Sequence, residues 1–197
     1  MSLIYIPEYQ NKMKFAEEAV MTVQSGDCLY YAFGASSYSD LDIAVAKRQG
    51  ELQGVNICSA SSGRFSKYLR DFEASKKPSQ VEAQQVSRVG NKTGLPNIIF
   101  MAAVSPMDED GYFGLLGNSL FDLEVLQIAQ IVMLEVNENI HRLPGAHQDC
   151  IHISQVDYIV PSSNAPLWSL DKVAKRQVSP NNKQKEYGRS ALKKTVI

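Results

Sequence analysis

The stretch Cys28–Arg48, CLYYAFGASSYSDLDIAVAKR, decides the fold. It opens with the β-formers Cys28-Leu29-Tyr30-Tyr31-Ala32-Phe33, breaks at Gly34 into the small residues Ala35, Ser36 and Ser37, and resumes as a helix from Asp40 to Arg48. Leu41, Ala44, Val45 and Arg48 fall at helical spacing. A strand, a small-residue turn and a helix start make a place where backbone N–H groups can face a ligand. Glycine allows a tight turn and close approach to the backbone, and the first N–H groups of a helix favour negative charge. Local pattern leaves two readings. One, which it favours, is an ordinary βα turn. The other is a ligand loop that holds an oxyanion. No G-x-G-x-x-G and no P-loop lysine is present, so neither a dinucleotide nor a nucleoside triphosphate is indicated.

The pattern repeats along the chain. Met13–Gln24 reads as an amphipathic helix with Met13, Ala16, Val20 and Val23 on its apolar face, ended by Gly26 as a left-handed cap. Val55–Cys58 is a second strand, followed by a second small-residue loop, Ser59–Gly63. Asn97–Val104, NIIFMAAV, is apolar almost throughout, as suits a strand buried on both faces. A turn-rich loop, Ser105–Gly114, follows it. A helix from Leu120, with Ser119 as cap and Asp122 in a capping box, gives way to the strand Ile131–Val136. Ile151–Ile153 and Val156–Val160 are further short strands. This alternation predicts an α/β fold with a mainly parallel sheet and flanking helices. In such sheets ligands bind beyond the carboxyl ends of the strands. Residues 64–96 are polar and irregular, and residues 168–197 form a polar, basic tail with few apolar residues.

Composition narrows the function. The chain has 197 residues, 44% of them hydrophobic and 21% charged, with a net charge of −1. That length holds one domain with an appendage. The charge balance gives no electrostatic reason to expect nucleic acid or an anionic membrane as partner. No apolar run has spanning length and the N-terminus lacks signal-peptide character, so a cytoplasmic location is expected. Three cysteines, Cys28, Cys58 and Cys150, fit a reducing compartment better than a disulfide framework.

The candidate reactive groups are few. His141, His147 and His152, with Asp149 and Cys150, have no zinc spacing, so no metal is expected; a histidine bonded to loop backbone is the better reading. Asp108-Glu109-Asp110 lacks the spaced ligands of a calcium loop and reads as a solvated turn. No G-x-S-x-G elbow is present. Glu135 lies near the carboxyl end of a strand, where carboxylate chemistry can sit, but nothing local marks it as perturbed.

Three passages together resemble the acetyl-CoA hydrolase/transferase family, and most its 4-hydroxybutyrate CoA-transferase branch. They are Ser25–Arg48, VSPMDEDGYFGLLG at Val104–Gly117, and EVNENIHRLPGAHQDCIHISQVDYIVPSSNAPL at Glu135–Leu167. The resemblance implies a NagB/RpiA/CoA-transferase-like fold over residues 1–167, with residues 64–96 shortened or divergent and 168–197 unmatched. It implies an enzyme, in which a glutamate attacks an acyl-CoA thioester, CoA returns to form a glutamyl-CoA thioester, and an acceptor carboxylate such as acetate takes over the CoA. Coenzyme A is then a substrate, with no further cofactor, and the protein a homodimer or higher homo-oligomer.

The same resemblance implies that the backbone of Gly34 and Ala35 supplies the oxyanion side of catalysis. It implies that Phe33, Ser36, Ser59, Ser61, Ser105, Pro106 and Met107 line the substrate cleft. In the family the nucleophilic glutamate belongs to a second α/β domain. Nothing after Leu167 matches that domain, so the chain reads as an N-terminal half, expected to be inactive alone. The alternatives are a non-catalytic acyl-CoA-binding or oligomerisation module, an acetyl-CoA hydrolase, or a sugar-phosphate isomerase-type domain. The absence of Lys or Arg from the small-residue loops counts against the last.

Overall fold

The strand Ile98–Val104 lies in the middle of a five-stranded sheet, and all 7 of its residues are buried. A computed structural model describes residues 4–32, 40–59, 97–115, 120–141 and 149–163. In chain order the described helices are α1 (Ile6–Lys12), α2 (Ala16–Ala19), α3 (Asp40–Lys47) and α4 (Leu120–Ile128). The strands are β1 (Cys28–Tyr31), β2 (Asn56–Ser59), β3 (Ile98–Val104), β4 (Tyr112–Gly114), β5 (Ile131–Val136), β6 (Cys150–His152) and β7 (Tyr158–Pro161).

Five strands form one sheet in the order β2-β1-β3-β5-β7, and every pairing in it is parallel. Such a sheet must be covered on both faces, which is why its strands read as apolar runs rather than alternations. Alternate residues of β3 serve two separate cores. Ile98, Phe100, Ala102 and Val104 pack with Val125 and Leu126 of α4 and with Phe113 and Ile151. Ile99 and Met101 pack on the other face with Ala16 and Ala19 of α2 and Leu41, Ala44 and Val45 of α3. The α/β class and the parallel sheet expected from the sequence are therefore what the chain forms.

Two local expectations are corrected. The helix predicted over Met13–Gln24 is shorter, comprising α2 and a single 3₁₀ turn at Val20–Thr22. Helical spacing places Ala16, Val20 and Val23 correctly in the core, but Met13 is 45% exposed. Met13 bridges Ile159, and the Lys14 N–H donates to the Ile159 carbonyl at 2.9 Å. The open edge of β7 captures this backbone as an extended segment. Arg48 then donates to the carbonyls of Val20 and Val23, filling acceptors that a longer helix would have used itself. The left-handed residue expected at Gly26 is present, with φ +90°.

The second correction concerns Ser105–Gly114, read as a loop throughout. It contains β4, which pairs antiparallel with β6 as a separate two-stranded ribbon. So the strand expected near Ile151 does not join the main sheet, and Ile153 already begins a 3₁₀ turn. A three-residue strand whose partner lies far along the chain leaves too little alternation to be seen. The caps and loops expected at Ser119, Ser61–Gly63 and His147 lie outside the described residues, as do the irregular stretch within 64–96 and the tail.

Candidate functional site

The chain passes from β1 to β2 on one side and then to β3 on the other, so strand order reverses between β1 and β3. In open parallel sheets that reversal opens a crevice at the carboxyl ends of the strands. The β1–β3 pairing continues one residue past β1, where the Ala32 N–H donates to the Met101 carbonyl at 3.0 Å. Phe33, Gly34, Ala35 and Ser36 come next and lie outside the described residues. Ser59 closes β2, with its backbone in register with Tyr31. The carboxyl ends of β1 and β2 thus stand side by side, while Ser61 also lies outside the described residues.

Ser105, Pro106 and Met107 follow β3 directly. The Ser105 N–H donates to the Gly114 carbonyl, and the Gly114 N–H donates to Ser105 Oγ, both at 2.9 Å. Ser105 Oγ donates in turn to the Pro106 carbonyl at 3.1 Å. Ser105 is buried, and its hydroxyl fastens β4 to the end of β3. Met107 is buried in the core on the α4 face, leaving Pro106 as the exposed member of the three.

The first turn of α3 is tied to the far strands by two carboxylates. Glu135, near the carboxyl end of β5, accepts from the Leu41 N–H at Oε2 (3.1 Å) and from Ser162 Oγ at Oε1 (2.9 Å). Asp40 Oδ2 accepts from the Ser163 N–H at 2.5 Å, and Oδ1 from Ser163 Oγ at 3.1 Å. Glu135 is only 3% exposed. Burial pushes its carboxyl up from the ordinary range, and Asp40 adds to this. The Leu41 and Asp40 amides and Ser162 pull the other way without cancelling it. Tyr31 of β1 feels the same carboxylate from the sheet side and is itself raised well above its ordinary value, chiefly by burial.

Nothing next to Glu135 in the sequence marks it as perturbed. The available signal was its position within IVMLEV, a charged residue in a strand whose neighbours in register, Ala103 and Val160, are both apolar.

Among the described residues no group of three His, Cys, Asp or Glu is placed to hold a metal ion, and His147 lies outside them. His152 Nδ1 accepts from the Ser154 N–H at 3.3 Å, as expected for a histidine bonded to loop backbone. Its ring sits against Tyr5 and Tyr112, with centroids at 5.4 and 4.8 Å. Asp108 shapes its turn by accepting from the N–H groups of Asp110 and Tyr112, at 3.0 and 2.8 Å.

A parallel α/β sheet whose strand order reverses between β1 and β3 defines the class. Residues 70–167 match the acetyl-CoA hydrolase/transferase N-terminal domain, including the stretch 70–96 where the sequence motifs carry no resemblance. The chain is 30% identical over 187 residues to a probable butyrate:acetyl-CoA coenzyme A-transferase of Syntrophomonas wolfei, covering 84% of this chain and 42% of that protein. It is 30% identical over 190 residues to the butyryl-CoA:acetate CoA-transferase of Anaerostipes caccae, covering 83% and 42%. Among solved structures, RipA from Yersinia pestis superposes with a TM-score of 0.66 at 25% identity, covering 83% of this chain and 44% of that one. The chain is thus similar to the acetyl-CoA hydrolase/transferase family, with the family's N-terminal domain matched over residues 70–167. It spans about two-fifths of the curated relatives it matches, 42% of each.

Proposed function

We propose that this chain is the N-terminal half of a CoA-transferase. It would move CoA between a short-chain acyl-CoA (butyryl, 4-hydroxybutyryl or acetyl) and a carboxylate such as acetate. The observation that carries this reading is the 30% identity to two transferases acting between butyrate and acetate. The reversal of strand order between β1 and β3 supports it, because ligands of open parallel sheets bind beyond the carboxyl ends of the strands at such a reversal.

In this reading a glutamate outside these residues attacks the thioester carbonyl and expels CoA thiolate, leaving an acyl-glutamyl anhydride. The thiolate then attacks the glutamyl carbonyl, releases the acyl carboxylate and forms the glutamyl-CoA thioester. The acceptor carboxylate attacks that thioester, and the returning thiolate takes the acceptor's acyl group and frees the glutamate. Each attack develops an oxyanion on a carbonyl oxygen. The assigned contribution of Gly34 and Ala35 is backbone N–H donors for that charge, which preorganised amides stabilise strongly in a water-poor cleft. Phe33, Ser36, Ser59, Ser61 and Pro106 are assigned to the cleft wall, with Ser105 and Met107 holding its floor in place. The functional assembly is a homo-oligomer.

The test is calorimetric titration of the 197-residue chain with butyryl-CoA, followed by a transfer assay with acetate. Binding without transfer is expected, and Gly34→Val is expected to weaken it. A chain that binds no short-chain acyl-CoA overturns the reading. Transfer by the chain alone overturns the placement of the nucleophile outside it.

A further inference from the structure

We propose that Glu135, acting with Ser162, is a positioning residue that holds the first turn of α3 against the ends of β5 and β7 and so fixes the start of the helix that follows the Phe33–Ser39 stretch in sequence. The inference rests on the functional reading above, in which that stretch serves the thioester.

The geometry is reciprocal. On one side stand the adjacent residues Asp40 and Leu41, and on the other the adjacent residues Ser162 and Ser163. Glu135 joins Leu41 to Ser162, and Asp40 takes both the amide and the hydroxyl of Ser163. These four bonds bring together residues as far as 123 positions apart in sequence. They do so at the N-terminal turn of α3, whose amides would otherwise lack partners within the helix. A carboxylate there also meets the positive end of the helix dipole.

A simple packing role would not call for a carboxylate. Glu135 occupies a strand position whose neighbours in register are Ala103 and Val160, and the ion pairs among the described residues do not include it. An apolar side chain would bury more easily here. What an apolar side chain lacks is two directed acceptors, one for a helix amide and one for a loop hydroxyl. That is the requirement for fixing a helix start in position and rotation. Near an active site, small errors in such placement cost reactivity out of proportion to their size.

The test compares the wild-type 197-residue chain with Glu135→Ala, Glu135→Gln and Ser162→Ala. Two readouts are taken: amide hydrogen exchange at Leu41, referenced to Phe100 in the sheet, and calorimetric affinity for butyryl-CoA. Loss of a buried acceptor corresponds to about tenfold or more in a local opening equilibrium. Glu135→Ala is therefore expected to speed Leu41 exchange by about that factor, leave Phe100 protected and weaken butyryl-CoA. Glutamine keeps an acceptor for Leu41 and is expected to restore both readouts. Ser162→Ala should show a smaller effect of the same sign, and it decides the matter if Glu135→Ala does not fold. Unchanged Leu41 exchange in Glu135→Ala and Ser162→Ala overturns the proposal, as does faster exchange in them with undiminished affinity. If the wild type binds no butyryl-CoA while Leu41 protection still depends on Glu135, the clamp stands and the functional reading falls.

Discussion

The Tyr30 hydroxyl on β1 donates a 2.8 Å hydrogen bond to Oδ1 of Asp122 on α4, with both side chains fully buried. The next residue, Tyr31, points to the opposite face, where it meets Asp42 of α3. Adjacent tyrosines on one central strand therefore anchor a helix on each side of the sheet. Tyr30→Phe keeps the ring, which stacks on Phe100 at 5.7 Å, and removes only the donor. A hydrogen bond to a buried charged group is worth about 1.5–3 kcal/mol. That loss is expected in urea unfolding, whereas Tyr112→Phe, at an exposed ring, should change little. Equal effects would show that the Asp122 bond contributes nothing.

Both tyrosines have their ionisation pushed upward from the ordinary value of 10.0, first by burial and then by the adjacent aspartate. The sign follows directly. A group whose folded pKa exceeds its unfolded value stabilises fully below the unfolded value and loses that contribution as pH rises toward the folded one. Stability is therefore expected to fall above about pH 10, with phenolate absorbance from the buried tyrosines appearing together with loss of helical circular dichroism. Phenolate formation at Tyr30 and Tyr31 in a chain that stays folded would contradict this.

Gly111 joins the Asp108 turn to β4 with φ +84°. A Cβ there would sit 3.0 Å from His152 Nε2 and 3.2 Å from the Tyr5 ring. Both the backbone and the space forbid a side chain, so Gly111→Ala is expected to destabilise by about 2 kcal/mol or more. Gly50 has open space around it, and Gly50→Ala is expected to be neutral to about 1 kcal/mol stabilising. Thermal unfolding of the two variants side by side checks the contrast.

What could be read in the sequence follows from the range of the forces involved. The continuous apolar runs of β3 and β5 announce burial on both faces, and the spacing of Leu41, Ala44 and Val45 announces the inner face of α3. Those are local patterns. The Tyr30–Asp122 bond joins residues 92 positions apart, and the Ser163–Asp40 bonds join residues 123 apart. No window of sequence contains both partners, so Asp122 reads as a helix-cap acid and Glu135 as an unremarkable strand-end acid. The β4–β6 ribbon is hidden for the same reason. Of the residues assigned to the site, Ser105 shows the limit most clearly. Its place after a buried strand suggests a ligand contact, while its hydroxyl fastens β4 in place.

Cys28 and Cys58 are buried with their sulfur atoms 3.2 Å apart, while Cys150 is half-buried. The hydrogen bond from Cys58 draws the Cys28 thiol below its ordinary value. Lower ionisation alone does not make a thiol reactive when a reagent cannot reach it. An aromatic disulfide reagent is therefore expected to titrate one thiol readily in the native chain and the other two only in denaturant, with Cys150→Ser removing the fast one. Rapid reaction of all three would mean that the β1–β2 edge opens readily.

Glu135 gives the pH prediction opposite in direction to acid denaturation. Its folded pKa is raised above the ordinary 4.5, first by burial, so the unfolded chain releases this proton more easily than the folded one. Its contribution to stability is then complete below about pH 4.5 and is lost as pH rises through the folded value. Glu135→Gln cannot ionise and loses nothing over that window. Relative to the wild type, the variant is therefore expected to gain stability from acid to neutral pH, read as a rightward shift of its urea midpoint. Most carboxylates that accept hydrogen bonds behave the other way, because those bonds favour the charged form. A variant that instead falls behind the wild type as pH rises would mean that the Leu41 and Ser162 bonds outweigh burial, leaving Glu135 charged at the helix start throughout.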